Sequence, residues 1–277
     1  MKERGITTLA GIVITILLCF LPSIIWQIAV TWVALLCARE WNSAYHKTLG
    51  DSNSSLILNG ILCYLGALYP LGIGYASRSE LRPEVMDALI PSLAVLVFTL
   101  LLFRAYRGQP ALGDIKRFYG LVGAIYIGLL SSGLILLQKQ GNPGQGAWIT
   151  IFVISCVWAS DIFAFVVGKQ WGRTKLAFHI SPGKTVEGAV GGLLGALLIG
   201  SIMGTAIHLS IQNSLLVACI AGVAGPIGDL WESALKREIG IKDFGSMVRG
   251  HGGVLDRLDS HLFVAPLCAF ILCLLLK

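Results

Sequence analysis

Apolar residues run through this chain in stretches of about 18–24 residues, the length that crosses a hydrocarbon core of about 30 Å. Nine segments can be marked, at roughly 6–21, 23–38, 55–76, 86–103, 119–137, 147–168, 186–208, 213–235 and 260–276. Continuous, the first two would make a helix of about 50 Å, too long for one crossing. Pro22 and Ser23 supply a break, so a tight helical hairpin is expected there. The pattern predicts an all-α, polytopic integral membrane protein with about nine transmembrane helices. Residues 1–154 form an N-terminal set of about five spans, and 155–277 a C-terminal set with long polar loops.

Composition agrees with that solvent. Of 277 residues, 55% are hydrophobic and 13% charged, against about 25% charged in a soluble domain, and mean hydropathy is +0.77. Disorder, collagen, a coiled coil and a secreted disulfide scaffold are excluded. The seven cysteines (Cys19, Cys37, Cys63, Cys156, Cys219, Cys268, Cys273) lie in apolar stretches without a CxxC pair, and read as buried hydrophobes. The basic start Met1 to Arg4 resembles a signal peptide. The apolar stretch behind it continues to Ala38 without a small-residue cleavage pattern, so a retained membrane helix is expected.

Net charge is +6, and its placement matters more than its sum. With nine spans the connections alternate sides. The N-terminal side collects Lys2, Arg4, Arg39, Lys47, Arg104, Arg107, Lys116, Arg117, Lys169, Arg173, Lys175, Lys184, Lys236, Arg237, Lys242, Arg249 and Arg257. The other side holds Arg78, Arg82, Lys139 and Lys277, a split of 17 to 4. Merging the first two segments changes it only to 15 to 6. By the positive-inside rule the N-terminus and the large polar loops face the cytoplasm. The basic excess is thus a topology signal, and nucleic acid is not an expected partner.

The linkers 39–54 and 104–118 read as polar and turn-rich, without a catalytic pattern. From Ser155 onward, acids enter apolar spans, where an Asp costs about 2.5–3.5 kcal/mol at a helix centre and is a functional candidate by default. Asp161 is the first, facing a cavity open to the cytoplasm or else paired to a neighbouring Arg or Lys. Next, Ser181-Pro182-Gly183-Lys184-Thr185 reads as a Ser N-cap with Pro at the first helical position. A Lys in the first turn of such a helix suits phosphate. It is no P-loop, since Phe178 stands where GxxxxGK[ST] needs Gly. Gly188, Gly191, Gly192 and Gly195 read as helix packing.

The densest cluster runs from Asp229 to Asp259. Asp229, Glu232, Ser233, Lys236 and Arg237 fall at i, i+3, i+4, i+7 and i+8, one polar stripe on an apolar helix. Lys242-Asp243, Gly250-His251-Gly252-Gly253 and Asp256-Arg257-Leu258-Asp259 follow. Carboxylates supply hard oxygen ligands for Mg²⁺, and Lys and Arg neutralise phosphoryl oxygens. His208 and His261, near span ends, read as interfacial or capping groups. These features support a membrane site for a metal-bound phosphate compound, without choosing an enzyme over a transporter.

The run Ser233-Ala234-Leu235-Lys236-Arg237, then Lys242-Asp243-Phe244-Gly245, then His251-Gly252-Gly253-Val254-Leu255-Asp256-Arg257-Leu258-Asp259 resembles the signature (233–259) of the phosphatidate cytidylyltransferases, the CDP-diacylglycerol synthases. Gly228-Asp229-Leu230, the Ser181 to Thr185 stretch with Glu187-Gly188, Asp161 and Arg39-Glu40-Trp41 extend the likeness over nearly the whole chain. The resemblance implies transfer of CMP from CTP to phosphatidate at the cytoplasmic face of a membrane, the inner membrane in a bacterium, with Mg²⁺. A monovalent cation such as K⁺ sharing the site is left open.

By the same resemblance Asp229 and Asp256 hold the cations. Lys236, Arg237, Lys242, Arg257 and Lys184 neutralise phosphates. Ser233, Asp243, His251 and Asp259 shape the site, and Ser181, Thr185, Asp161, Gly252 and Gly253 join the substrate surface. Two other readings stand beside it: a related nucleotidyltransferase or kinase acting on another lipid or polyprenyl phosphate, and an ion-coupled anion carrier. The small-residue face from Gly188 to Gly204 leaves packing within or between subunits open, a homodimer included. Arg249 replaces the family's usual Pro, and Val186 its usual Trp. If Arg249 only tunes the lipid, Arg249→Pro should leave the basic reaction intact, and complete inactivation in a transfer assay would refute that role.

Overall fold

A computed structural model describes residues 2–49, 54–76, 84–141, 144–247 and 252–276. Among these residues the nine apolar segments form nine helical passes. α1 (Lys2–Phe20) and α2 (Ser23–Leu49) make the expected hairpin, and Pro22 O accepts Ile25 N–H (2.8 Å) as the chain re-enters helix. The third pass is split into α3 (Ser54–Ala67) and α4 (Tyr69–Ala76), and α5 is Glu84–Tyr106. The fifth is composite: α6 (Tyr119–Gly123), a π-helical segment (Ala124–Leu129) and α7 (Leu130–Gln138). α8 (Gln145–Trp171), α9 (Val186–Ala206), α10 (Ile211–Glu238) and α11 (Asp259–Leu275) complete the bundle. Six of these passes have the length and apolarity to cross a membrane alone, and shorter apolar helices stand at 10–20, 57–72 and 259–275.

Two sequence expectations need correction. Residues 39–49 are not a turn-rich linker: α2 continues through them, because Trp41 and Tyr45 on this extension are fully buried among Tyr119, Tyr126 and Phe244. The segment Ser181-Pro182-Gly183-Lys184-Thr185 is not a helix start. It is strand β2 (Ser181–Thr185), paired antiparallel with β1 (Lys175–Ala177). The N-cap of α9 is Thr185, whose Oγ1 accepts Gly188 N–H at 3.1 Å. Pro182 is tolerated because a two-stranded hairpin is all edge.

Direct bonds gather the loops that carry most of the basic residues at one end of the bundle. Glu238 accepts Leu112 N–H (2.8 Å) and Gly113 N–H (3.0 Å), Arg237 Nε donates to Ile180 O (3.2 Å), and Glu40 on α2 reaches the segment before α11. At the opposite end, Gln138 Nε2 donates to Cys19 O (3.0 Å) and Phe20 meets Trp148 edge-on at 4.9 Å. This grouping matches the two sides on which the basic residues were counted.

Close helix contact uses glycine where backbones meet. α3 lies against the fifth pass so tightly that a Cβ on Gly128 would fall on the Gly66 carbonyl, and one on Gly120 on the Asn59 carbonyl. Asn59 seals the crossing, accepting Gly120 N–H (3.1 Å) and donating to Arg117 O (2.9 Å). Gly128→Ala should therefore cost about 1–3 kcal/mol by overpacking, read as a lower Tm in detergent. Gly60→Ala, with nothing near its Cβ, should be neutral or stabilising.

Candidate active site

α10 carries the predicted polar stripe, and the structure divides it between two neighbours. Asp229 faces the β1–β2 hairpin: its Oδ2 lies 2.6 Å from Lys184 Nζ, and its Oδ1 accepts from Ser233 Oγ at 3.4 Å. Arg237 also reaches the hairpin, at Ile180 O. Two turns on, Lys236 Nζ lies 2.8 Å from Glu232 Oε1 and 2.8 Å from Asp256 Oδ1, with both acids buried. The stripe thus ties the hairpin to the segment between α10 and α11.

That segment ends in a 3₁₀ turn (Leu255–Arg257) leading into α11. Asp256 accepts Gly253 N–H (2.7 Å) and Phe244 N–H (3.1 Å to Oδ2), besides pairing with Lys236. Gly252 lies at φ +86°, a left-handed conformation that glycine adopts without cost, and a Cβ there would approach Asp256 Oδ2 at 3.0 Å. Burial alone would raise the Asp256 carboxyl; the Lys236 ammonium and the Gly253 N–H overcome it and hold the group below the usual carboxylate range.

A cavity of about 1090 Å³ opens beside these groups. At its polar end stand Asp161, Lys184, Thr185, Asp229, Lys236, Asp243, Asp256, Arg257 and Asp259. Asp161, Asp229 and Asp259 lie within electrostatic reach of one another and of Lys184. From there the cavity runs along Trp26, Val30, Ala34, Ile127, Leu134, Ile154 and Trp158, an apolar wall built by α2, the fifth pass and α8.

Nine predicted site residues therefore meet at one cavity. Ser181, Ser233, Arg237, Lys242, Gly252 and Gly253 stand outside its lining. Ser233 and Arg237 bond to Asp229 and to the hairpin, Gly252 and Gly253 shape the turn around Asp256, and Lys242 is exposed. Thr185 is spent as the α9 N-cap, so its hydroxyl serves the backbone. His251, like Arg249, lies outside the described residues. Among the described residues no three His, Cys, Asp or Glu side chains close into a metal cage. Asp229 is the carboxylate best disposed to take a cation: at 37% side-chain exposure it is half-open and held by Lys184 and a long bond from Ser233, whereas Asp256 is buried and takes Lys236 and two backbone N–H groups.

The cytidylyltransferase family pattern matches residues 2–275. The chain belongs to this family. It is 31% identical over 302 aligned residues to a phosphatidate cytidylyltransferase of Synechocystis, an alignment covering 99% of this chain and 97% of that protein. A Bacillus subtilis phosphatidate cytidylyltransferase is 42% identical over 157 residues (55% of this chain, 57% of that protein), and one from Rickettsia bellii 34% identical over 214 residues (70% and 91%).

Two further residues hold the site without a motif that assigns them a role. Glu232, noted only as part of the stripe, is the fully buried partner of Lys236. Glu40 was legible only as part of the Arg39-Glu40-Trp41 match, and its contact partner stands 214 residues away. Lys236→Met should leave Asp256 and Glu232 facing each other uncompensated, at a cost of about 3–5 kcal/mol in thermal unfolding near neutral pH. Asp256 has a depressed folded pKa, so in the unaltered protein its contribution is present above the ordinary carboxylate pKa and lost as pH falls through the folded value. The variant's deficit should accordingly shrink as pH is lowered toward about 4, because protonation removes the unpaired charge; a deficit constant with pH would exclude this account.

Proposed function

We propose that this chain transfers the cytidylyl group of CTP to phosphatidate, releasing pyrophosphate and forming CDP-diacylglycerol, as part of phospholipid synthesis. The observation that carries the reading is the single cavity, charged at one end and apolar along the rest. A diacylglycerol phosphate is an amphiphile of that pattern, and a nucleoside triphosphate needs the cations that gather where its phosphate would lie. Family membership agrees with it. The site belongs to an integral membrane protein, and the positive-inside count orients it toward the cytoplasm, the inner membrane in a bacterial cell.

A phosphate monoester is already largely anionic near pH 7, so attack on the α-phosphorus requires no strong general base. The lipid phosphate oxygen forms the new P–O bond as the bond to pyrophosphate breaks. The chain's work is to bring two polyanions together and offset their repulsion. Lys184 and Arg257 line the cavity and supply positive charge there, and Lys236 adds its own between Glu232 and Asp256. Asp243 and Asp259 border the nucleotide end, and Asp161 bounds it on α8.

Mg²⁺ binds through one or two carboxylates plus substrate phosphates rather than an all-protein cage, and the donor set fits that habit. Asp229 is the ligand of choice, with Asp161 and Asp259 near it. Asp256 joins only where Lys236 leaves its Oδ1. The ion would supply Lewis-acid polarisation and charge neutralisation at the phosphates.

The test is product formation from labelled CTP and phosphatidate by purified protein in mixed micelles, with and without Mg²⁺, beside Asp229→Asn. Metal-dependent CDP-diacylglycerol should form, and Asp229→Asn should lower kcat by about 10²-fold or more in a protein of unchanged Tm. No product, with CTP still bound, would turn the acceptor toward another lipid phosphate. No CTP binding at all would favour an anion carrier.

A further inference from the structure

The turn before α11 is not held by its own half of the molecule alone. Four backbone N–H groups around it, those of Phe244, Gly253, Val254 and Leu255, are taken by two carboxylates. Asp256 takes the first two. Glu40, on the extension of α2, takes the others: Oε1 accepts from Val254 N–H and Oε2 from Leu255 N–H, both at 3.0 Å. Glu40 is 5% exposed, and it lines no part of the cavity.

The turn is shaped around this carboxylate. A Cβ on Gly253 would come within 2.5 Å of Glu40 Oε2, and one on Gly245 would overlap the same carboxylate. Trp41, the next residue, stacks on Phe244 (centroids 5.5 Å, planes 17° apart) and anchors itself by donating Nε1–H to Tyr119 O at 3.0 Å. The α2 extension therefore grips both ends of the segment that carries Asp243, Asp256 and Arg257 into the cavity.

We propose that Glu40 is the positioning residue of the active site. It receives the amides at the start of the 3₁₀ turn, and so sets the angle at which Asp256 meets Lys236 and Arg257 faces the nucleotide. A bidentate carboxylate accepting two N–H bonds is a directional, charge-assisted clamp. A carboxamide of the same shape has one acceptor and turns a donor against an N–H, so Glu40→Gln removes the clamp while keeping volume. The inference rests on the cytidylyl-transfer reading for its kinetic consequence and on geometry alone for the clamp.

The experiment measures Glu40→Gln against the unaltered protein in the mixed-micelle assay, with hydrogen exchange over 252–257 and over α10. Glu40→Gln should raise both the KM for CTP and the half-saturating Mg²⁺ concentration by about tenfold, the order of one lost charge-assisted hydrogen bond, and exchange should accelerate at Val254 and Leu255 but not in α10. A fall in kcat alone, with both constants unmoved, would be the mark of a merely structural role and would overturn the proposal. Gly253→Ala, which pushes the carboxylate aside, should give the same kinetic signature, and the two changes together should cost no more than either alone; additive losses would also overturn it. Should the unaltered protein make no CDP-diacylglycerol, the transfer reading fails, and the clamp is still decided by exchange: unchanged protection at Val254 and Leu255 in Glu40→Gln would refute it.

Discussion

A backbone N–H held away from water must find an acceptor or cost about 1–3 kcal/mol, and this requirement organises the functional end of the molecule. The segment between α10 and α11 is too irregular to satisfy its own amides with helical bonds. Asp256 and Glu40 satisfy them instead, two carboxylates each taking two N–H groups at 2.7–3.1 Å. The same contacts bring negative charge into a buried place, which Lys236 offsets against Asp256 and Glu232. Backbone satisfaction, charge pairing and the orientation of the turn before α11 are one set of bonds.

The cavity beside that turn separates two tasks along its length. Lys184, Arg257 and Lys236 stand near Asp161, Asp229, Asp243, Asp256 and Asp259 at one end, and the wall along α2, the fifth pass and α8 is largely apolar. On the cytidylyl-transfer proposal, such mixed charge would keep the site from being a simple anion trap: triphosphate alone would meet carboxylates, and a divalent cation bound with it would change the balance in its favour. A site with basic residues alone would hold pyrophosphate strongly and slow its release. The hairpin β1–β2 delivers Lys184 from outside the helix bundle to Asp229, so the two charges belong to elements joined by that ion pair and by Arg237 on Ile180.

The bundle supplies the rigidity on which this rests. Trp41, Tyr45, Tyr119, Tyr126, Phe98, Trp231 and Phe263 form a contiguous aromatic core just beneath the site. Glycines at the α3 crossing let the fifth pass approach to backbone contact. The π-helical segment Ala124–Leu129 lies at that crossing, where one extra residue per turn shifts the helix face.

What the chain alone determined is what depends on local composition and period. Bilayer-length apolar runs specify nine passes, the break at Pro22 divides the first two, and the spacing of Asp229, Glu232, Ser233, Lys236 and Arg237 puts them on one helical stripe. The ordered signature after it specifies a phosphate chemistry. Short-range rules failed where a neighbour overrode them: Ser181 looked like a helix cap, yet pairing with Lys175–Ala177 made the segment a strand and passed the cap to Thr185. Residues 39–49 looked like a linker because the Glu, Asn and His in them are polar, and only the aromatic core that buries Trp41 and Tyr45 keeps them helical. Tertiary structure alone decided that Asp256 faces Lys236 and two amides, and that Glu40 meets Val254 and Leu255. A bond between residues 214 positions apart leaves no trace in spacing or propensity, because it is set by where α2 meets the turn before α11.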